Sequence, residues 1–427
     1  MCCADRPFSM RRLCLLLAVL TTLLSLPDPA AAQPLTIPRF DFSFSNPGAR
    51  SLGFGGAFAG LADDATAAYA NPAGLVQLTE SEVSLDTRLW SRTPSFISDG
   101  RIVGDPNPAA DLDDLIFGEE RSDDFGPSFA SVVIPKGRWS LALYGHQLAK
   151  FEQATEWNWF VVGGLPLPPI PSARESLDLD ITSLGLSAGW RLDDRWSFGL
   201  GVLVSDVSFE TSSEFYLPSF DGGDVGPFLP DRLLSRTEVL AEGTEVAFNV
   251  GALWQISERL SAGLVYRQGA DTDGELVLGT GPGADLAPED EVRIRSDSVF
   301  NVPDVVGLGL AYRSRDGLWT LAAEVDHVGY SGLVEIGPTT PVPIPERIYE
   351  DGLNFHFGVE RALLKRAPIL AFRLGGWLEA NGDDLDRDEV EHVTAGLGIA
   401  AQRFQLDLAA DLSEEIDTIS LSFIYRL

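Results

Sequence analysis

The chain has 427 residues and combines a strong acidic excess with a high apolar content. It carries 63 Asp+Glu against 31 Lys+Arg, a formal net charge of −32, yet 45% of its residues are hydrophobic and 10% aromatic. An aromatic-rich composition excludes an acidic disordered chain. Nucleic acid is excluded as a partner, because phosphate binding needs clustered basic side chains and only three lysines are present.

Residues 1–32 have the pattern of a secretory signal peptide. Arg11 and Arg12 form a basic start, residues 13–26 an apolar run, and three alanines at 30–32 a cleavage site. The sequence therefore predicts an exported protein.

All three cysteines lie within this signal, at Cys2, Cys3 and Cys14. The mature chain is therefore expected to have no disulfide, no thiolate–metal site and no cysteine nucleophile. No later segment offers about 20 consecutive apolar residues, so membrane insertion would have to be by β-strands.

Residues 33–78 do not alternate but are rich in glycine and alanine. Asp63 and Asp64 are plausible caps before a short helix, and Asn71-Pro72 is a plausible stop and turn. Small residues allow close backbone packing, which suits a segment folded inside the lumen of a barrel. The alternative is an exposed N-terminal arm, although so apolar an arm would favour aggregation.

From about Ser81 onward the sequence alternates with a period of two. Phe404, Leu406 and Leu408, for example, alternate with polar neighbours. One apolar and one polar face per strand is typical of an antiparallel sheet, and of a barrel with lipid outside. About 14 such segments are predicted: 81–92, 126–135, 138–152, 176–192, 195–210, 239–257, 259–278, 289–314, 317–331, 351–364, 367–380, 390–401, 403–412 and 416–427.

The connections between these segments alternate in length. Short turns are predicted at 135–138, 193–194, 257–258, 315–317, 364–368 and 401–403, and most of the others are long. Short turns on one side and long loops on the other are typical of an outer-membrane barrel with both chain ends in the periplasm.

Tryptophans also fall at strand ends. Five lie near the short turns: Trp139, Trp190, Trp196, Trp254 and Trp319. Trp90 and Trp377 lie at the opposite ends, beside long loops. This distribution predicts two interfacial aromatic girdles, whereas ordinary core tryptophans would show no link to strand ends.

The order of these elements carries a resemblance to a known family. The Gly/Ala-rich run ending in Asn71-Pro72-Ala73, and the segment 302–313 (VPDVVGLGLAYR), resemble the FadL-type outer-membrane transporters of long-chain fatty acids and aromatic hydrocarbons. The resemblance implies that residues 33–78 form a hatch that blocks the lumen. It also implies that a hydrophobic substrate leaves sideways through the wall. Asn71, Pro72 and Ala73 match the hatch motif of that family. The family's substrate-pocket residues do not map onto this sequence by motif.

Two features depart from the family pattern. Outer-membrane barrels usually end in Phe, whereas this chain ends in Leu427. The acidic balance argues for a neutral ligand, unless lumen-side arginines such as Arg267, Arg313 or Arg373 meet a carboxylate.

A hydrophobic solute needs apolar sites outside and inside the barrel. In one long loop the candidate substrate-binding residues are Phe215, Tyr216, Phe220 and Phe228. These loop aromatics could equally pack as a lid or lie in the outer leaflet. On the hatch the candidates are Phe54, Phe58, Leu61 and Tyr69, which could instead pack the hatch against the wall.

Three motifs do not support an enzyme or a metal site. The G-x-S-x-G match at 185–189 lies in an alternating strand rather than at a sharp strand-to-helix turn. The spacing of a calcium loop is matched at its start by Asp384, Asp386 and Asp388, but the glycine and the final acidic residue of such a loop are missing. The segment could be a loose cation site or a solvated acidic loop. The four histidines are scattered. No catalytic residue, cofactor or metal is predicted.

The fold expected is all-β: a transmembrane antiparallel β-barrel of about 14 strands with an N-terminal hatch of short helices. The domains expected are a signal peptide at 1–32, the hatch at 33–78 and the barrel at 79–427. The function expected is passive transport of hydrophobic small molecules, such as long-chain fatty acids, by a monomer surrounded by outer-membrane lipid. The alternatives are a protein-binding barrel that serves secretion or outer-membrane assembly, and a barrel enzyme acting on lipid.

Overall fold

The computed structural model describes residues 46–93, 95–100, 115–119, 121–157, 172–216, 232–280, 292–336, 350–364, 367–380, 389–414 and 416–427. These residues belong to one compact unit, Pro38–Leu427. The expected signal peptide and the loop residues Phe220 and Phe228 lie outside the described residues. Across the described ranges, no helix has the length and apolar character needed to cross a membrane.

The described residues form fourteen barrel strands, three of them in two segments. They are β1 Glu82–Arg92, β2 Ser122–Lys136, β3 Trp139–Trp157, β4 Ser172–Arg191, β5 Trp196–Tyr216, β6 Leu233–Ser257, β7 Leu260–Arg267 and Asp271–Thr280, β8 Val292–Asn301 and Val305–Arg313, β9 Trp319–Val328 and Val334–Ile336, β10 Gly352–Ala362, β11 Ile369–Glu379, β12 Val390–Ala400, β13 Phe404–Leu412 and β14 Ile416–Arg426. A separate hairpin joins Ser95–Gly100 to Leu115–Glu119.

Each strand pairs antiparallel with its neighbours in the chain, and the first pairs with the last. Leu85 of β1 lies opposite Ala130 of β2 on one side and opposite Phe423 of β14 on the other. The sheet is therefore closed, which leaves no free edge. The prediction of about 14 strands is confirmed. The predicted boundaries agree to within a few residues except beside the long loops at the ends of β2 to β6 and β9, where the strands run longer.

The alternation places apolar side chains on the outside of this barrel. Along β5, Phe198, Leu200, Val202 and Val204 are exposed, while the residues between them are buried. Because these apolar side chains are exposed among the residues that the structure describes, lipid is the solvent that suits them. Above this apolar band the same face of β5 continues with polar residues, so β5 extends beyond the hydrocarbon layer.

The girdle of tryptophans near the short turns is present. Trp139 stacks on Trp190 with ring centres 5.7 Å apart. Trp196 stacks on Trp254 at 5.2 Å. Arg361 lies over the ring of Trp319 at 5.0 Å. All five rings face outward and are 36–53% exposed, as an interfacial girdle requires.

The second predicted girdle is wrong. Trp90 is only 3% exposed and shares the lumen-facing side of β1 with Asp86 and Arg88. Trp377 stacks on the buried His392 at 3.8 Å and donates a hydrogen bond to Asp411. Nearness to a strand end does not decide which face a side chain takes, because strand parity decides it.

Residues 46–78, called the plug segment below, lie inside the barrel. They form two short α-helices, α1 Ala49–Gly53 and α2 Ala67–Ala70, followed by a 3₁₀ helix at Pro72–Gln77. Most of the segment is fully buried. An exposed arm is therefore excluded for these residues, and the predicted hatch-like arrangement of short helices is confirmed.

Candidate functional site: the apolar lumen and its plug

The plug segment binds the wall mainly through its backbone. Its small residues leave their carbonyl groups accessible, and wall side chains donate to them. Ser187 of β4 donates to Ala68, and Ser197 of β5 donates to Ala73. Ser261 of β7 donates to Gly60, with an Oγ···O distance of 2.7 Å. The plug segment is thereby anchored to several strands at once.

Wall glycines allow this close approach. A Cβ atom built on Gly309 would lie 2.6 Å from the amide nitrogen of Gly60. One built on Gly358 would lie 2.5 Å from Cα of Phe54. The plug backbone is also the nearest obstacle at Gly189, Gly199, Gly263 and Gly375. Real Cβ atoms do not approach so closely, so a glycine surface on the wall defines the seat of the plug segment.

Asn71 joins two parts of the plug segment to each other and to the wall. Its side-chain Nδ2 donates to the carbonyl of Ala59 at 2.9 Å and to that of Ala252 on β6 at 3.3 Å. Its Oδ1 accepts from the amide of Ala73 and so caps the 3₁₀ helix. Pro72 occupies the first position of this helix, where a missing N–H costs nothing.

Acidic wall residues satisfy the plug amides. One oxygen of Glu324 on β9 accepts from the amides of Phe58 and Ala59, at 2.6 and 2.7 Å. Arg50 of the plug segment pairs with Asp63 and with Glu360 of β10. Burial by itself lowers the pKa of Arg50, but Asp63, Glu360 and Asp64 outweigh it and raise the pKa well above its usual value. These contacts keep Arg50 charged.

The three arginines considered as carboxylate partners are paired within the protein. Arg267 contacts Asn46 at 2.6 Å and Asp326 at 3.3 Å. Arg373 contacts Glu360 at 2.8 Å and Asp407 at 2.6 Å, and Arg313 binds Asp63. Their positive charge is therefore neutralised by carboxylates of the plug segment and of the wall.

Above the plug segment, the lumen is apolar on the side of β3 to β9. Phe209 of β5 stacks on Phe300 of β8 with ring centres 4.4 Å apart. Other members of this buried cluster are Leu148, Phe151, Leu177, Leu179, Ile181, Leu203, Val207, Val302, Val305 and Val328. The opposite side of the lumen carries buried polar groups, among them Asp86, His392, Asp407 and Asp411. The lumen thus has a polar side and a mostly apolar side, and the apolar side also holds buried polar groups such as Asn249 and Arg267.

The plug segment meets the apolar wall at Tyr69. Its ring lies 4.2 Å from that of His146 and 6.3 Å from that of Tyr144, both on β3. Tyr69 also lines a small opening together with residues from β3 to β8. Buried polar groups at this opening include Asn249 and Arg267.

The hatch candidates occupy two different environments. Tyr69 lines the opening, whereas Phe54, Phe58 and Leu61 are buried in a cluster with Ala311 of β8 and Ala322 of β9. In this position the three side chains pack the plug segment against the wall, which is the alternative considered for them.

The two described loop candidates lie at the tip of β5. Tyr216 is 5% exposed and donates a hydrogen bond to Glu214 at 2.6 Å. Phe215 is half-buried beside it. Both lie ten or more residues along β5 from the opening at Ser205, about 33 Å at 3.3 Å per residue. The structure therefore does not bring the hatch and loop candidates together.

The sequence motifs that resemble a hydrolase or calcium site lie in the barrel wall or outside the described residues. Residues 185–189 lie within β4, and Ser187 donates to a plug carbonyl. Asp384, Asp386 and Asp388 lie outside the described residues. Within the described ranges, no group of three His, Cys, Asp or Glu side chains could hold a metal ion.

Comparison with known proteins adds a family to this geometry. Residues 172–366 match a family described as outer membrane protein transport protein (OMPP1/FadL/TodX). No curated protein matches the chain.

Solved structures share the fold at low sequence identity. A Pseudomonas aeruginosa FadL homologue is similar over 92% of this chain and 100% of its own, with 15% identity and a TM-score of 0.62. The P. putida toluene transporter TodX is similar over 90% of this chain and 99% of its own, with 15% identity and a TM-score of 0.60. For the CymD monoaromatic hydrocarbon channel the coverage is the same, with 14% identity and a TM-score of 0.60.

The matched region runs from the first residue of β4 past the end of β10, and so contains most of the apolar wall and much of the seat of the plug segment. Over these residues, which are less than half of the chain, the sequence is similar to the FadL/TodX family of outer-membrane transport proteins, and the closed barrel with an internal plug and an apolar exterior agrees with that similarity.

Proposed function

We propose that this protein carries neutral hydrophobic small molecules across the outer membrane by passive diffusion. In this proposal the plug segment gates the lumen and the solute leaves sideways through the wall. The observation that carries the proposal is the apolar wall of the lumen, which begins above the plug segment and ends at Tyr69.

An apolar wall matters because water is a barrier for such solutes. A solute with the apolar area of a buried aromatic side chain, about 200 Å², loses about 5 kcal/mol on transfer to water at about 25 cal/mol per Å². That penalty corresponds to a factor of roughly 5,000 in occupancy. A continuous apolar surface along the lumen removes this penalty at each step, which a water-filled pore cannot do.

The polar groups at the opening favour an uncharged ligand. Ser183 and Ser205 hydrogen-bond to each other at 2.8 Å. Asn249 donates to the carbonyl of Tyr69, and Arg267 pairs with Asp326. A carboxylate entering this site would therefore have to displace a buried pair, at a cost of several kcal/mol. Two similar structures belong to proteins named for toluene and monoaromatic hydrocarbons, which supports the same class of solute.

In this proposal residues 33–78 are the hatch, 79–427 the barrel and 1–32 the signal that export removes. Hatch movement requires the contacts at Asn71, Pro72 and Ala73 to loosen while the barrel stays closed. Pro72→Leu, or deletion of 71–73, is expected to change uptake without preventing barrel assembly.

The test is uptake of radiolabelled toluene and radiolabelled oleate by cells that carry the protein in their outer membrane. We expect toluene uptake above that of cells without the protein, a smaller gain for oleate, and altered toluene uptake in the Pro72→Leu variant. Correct insertion is checked by heat-modifiable migration of the folded barrel. A folded wild-type protein that accelerates neither probe refutes transport, and faster uptake of oleate than of toluene refutes the neutral ligand.

A further inference from the structure

The outer face of the barrel carries an exposed arginine between two aromatic side chains, at the edge beside the short turns. Arg361 of β10 lies directly opposite Trp319 of β9 and, on its other side, directly opposite Phe372 of β11. Trp319 is 41% exposed and Phe372 50% exposed. The Arg361 guanidinium lies over the ring of Trp319 at 5.0 Å. Because opposite residues of paired strands have Cβ atoms about 5 Å apart, the three side chains form one row across the outer surface.

This arginine has no carboxylate partner in the part of the chain that the structure describes. There Arg361 makes no ion pair, and its guanidinium lies against the indole ring. The lumen-facing arginines differ, because Arg267 pairs with Asp326 and Arg373 with Asp407. Acidic residues outnumber basic ones by 63 to 31 in this chain. An outward arginine without an acidic partner is therefore available to an anion from outside the protein.

The row lies at the level of the lipid headgroups on the periplasmic side. Trp319 follows the short turn at 315–317 and belongs to the girdle of outward tryptophans. An outer-membrane barrel places its short turns in the periplasm. Aromatic girdles mark the boundary between hydrocarbon and headgroups. The charge of Arg361 therefore lies at the height of the phosphates of the inner leaflet.

The surface between this row and the middle of the membrane suits acyl chains. The next outward-facing row is entirely apolar and consists of Leu321, Val359 and Leu374. In the row beyond it, Phe357 lies between Ala323 and Gly376. Phe357 is 55% exposed and has a small residue on each side, so its ring forms a ridge between two depressions. A ridge of this kind matches a lipid with two acyl chains.

A second outward cation at the same edge is a weaker candidate. Lys136 of β2 is exposed and lies opposite Trp139 of β3. The ladder between β1 and β2 ends at Val133, so no residue of β1 flanks Lys136 in register. An ammonium group is a point charge, whereas a guanidinium donates two parallel hydrogen bonds to a phosphate. Arg361 is therefore the better phosphate ligand.

We propose that Arg361, Trp319 and Phe372 bind the phosphate of an anionic phospholipid of the inner leaflet, with its acyl chains on either side of Phe357. The guanidinium donates to the phosphate oxygens while its planar face stays on the indole ring. An anionic lipid is favoured over a zwitterionic one, because a zwitterionic headgroup brings its own cation beside the phosphate. The site lies on the outside of the barrel and does not depend on the solute that the lumen carries.

Native mass spectrometry of the folded protein in detergent tests this site. The probes are dioleoyl phosphatidylglycerol, which is anionic, and dioleoyl phosphatidylcholine, which is zwitterionic. The dissociation constant of the first bound lipid is measured for each. We expect wild type to bind phosphatidylglycerol more tightly than phosphatidylcholine, and Arg361→Gln to bind phosphatidylglycerol about fivefold more weakly than wild type does. The matched control Arg315→Gln removes the same charge from the exposed neighbouring turn and should bind as wild type does.

Several outcomes overturn the site. One is an unchanged affinity for phosphatidylglycerol in folded Arg361→Gln. Another is equal weakening by Arg315→Gln, since any positive charge at this edge would then suffice. Equal affinity of wild type for the two lipids overturns the preference for an anionic headgroup. Excess glycerol 3-phosphate carries the phosphate without acyl chains and should not compete, so full displacement of the lipid by it would overturn a phospholipid as the occupant.

A second variant covers the case in which Arg361→Gln does not fold, which heat-modifiable migration detects. Trp319→Leu keeps the arginine but removes the ring that holds its guanidinium. We expect its affinity for phosphatidylglycerol to fall by about twofold to fivefold, the value of an exposed cation–π contact. Trp254→Leu removes a girdle ring that stacks on Trp196 instead, and should leave the affinity unchanged. An unchanged affinity in Trp319→Leu, or an equal fall in Trp254→Leu, overturns the site.

Discussion

Gly199→Ala is expected to unseat the plug segment while leaving the barrel folded. A Cβ at Gly199 of β5 would overlap the backbone of Pro72 and Ala73. Backbone atoms cannot rotate aside as a flexible side chain can. Overpacking of this kind costs about 1–3 kcal/mol. A change of about 1.4 kcal/mol changes an equilibrium constant tenfold. The equilibrium constant for docking of the plug segment should therefore fall by a factor of roughly 5 to 150.

Gly145→Ala is the matched control. Gly145 lies in β3, and the nearest atom to a built Cβ is the carbonyl oxygen of Ser183 at 3.9 Å, an ordinary contact. Both variants gain the same intrinsic stability from replacing a strand glycine, about 0.5–1 kcal/mol. The difference between them therefore isolates the contact with the plug segment.

Hydrogen exchange measured by mass spectrometry is the assay. The amides of Phe58 and Ala59 are protected by Glu324 only while the plug segment is docked. Peptides covering 46–78 should exchange faster by the calculated factor in Gly199→Ala, and strand peptides should be unchanged. If the plug peptides of Gly199→Ala and Gly145→Ala exchange at the same rate, the plug segment is not seated on Gly199 and the reasoning is refuted.

Two further outcomes test the electrostatics of the plug and the girdle. Burial raises the pKa of Asp64 above its ordinary value, with Arg50 opposing the shift. The Asp64 carboxylate therefore binds a proton more tightly when the plug segment is docked than when it is not. The protection of plug amides from hydrogen exchange should thus increase as the pH falls from neutral toward about 4. Asp64→Asn should show a weaker increase, and an identical pH profile would contradict this assignment. For the girdle, Trp196→Leu and Trp254→Leu should couple by about 0.5–1.5 kcal/mol in a double-mutant cycle of urea unfolding in vesicles. Trp139→Leu with Trp254→Leu is the uncoupled control, and additivity in both cycles would show that the stacked rings do not interact.

The strands were predictable because their signal is local. A barrel strand in lipid must present apolar residues at every second position, and that pattern is visible in segments such as 403–412 and 416–427 without knowledge of any partner. The five outward tryptophans near short turns follow from the same rule. Trp90 and Trp377 were misassigned because a position near a strand end is compatible with either face.

The functional residues were predictable only in part. The hatch motif at Asn71 was visible as a stop and turn, and its side chain does join the plug segment to β6. Tyr69 was separable from Phe54 and Phe58 only once the wall opposite each was known. The wall glycines that seat the plug segment gave no usable signal, because a strand glycine looks the same whether it faces lipid, water or a plug.

The sequence by itself determined the barrel, its strand number and the presence of a small-residue segment before it. These follow from period-two alternation, loop lengths and composition, which are properties of neighbouring residues. Only the tertiary structure decided that Arg267 and Arg373 are neutralised by wall acids. It also decided that Phe209 and Phe300 meet on an apolar side of the lumen. Each of these depends on which side chains meet across the lumen, and residues that meet there are far apart in the chain.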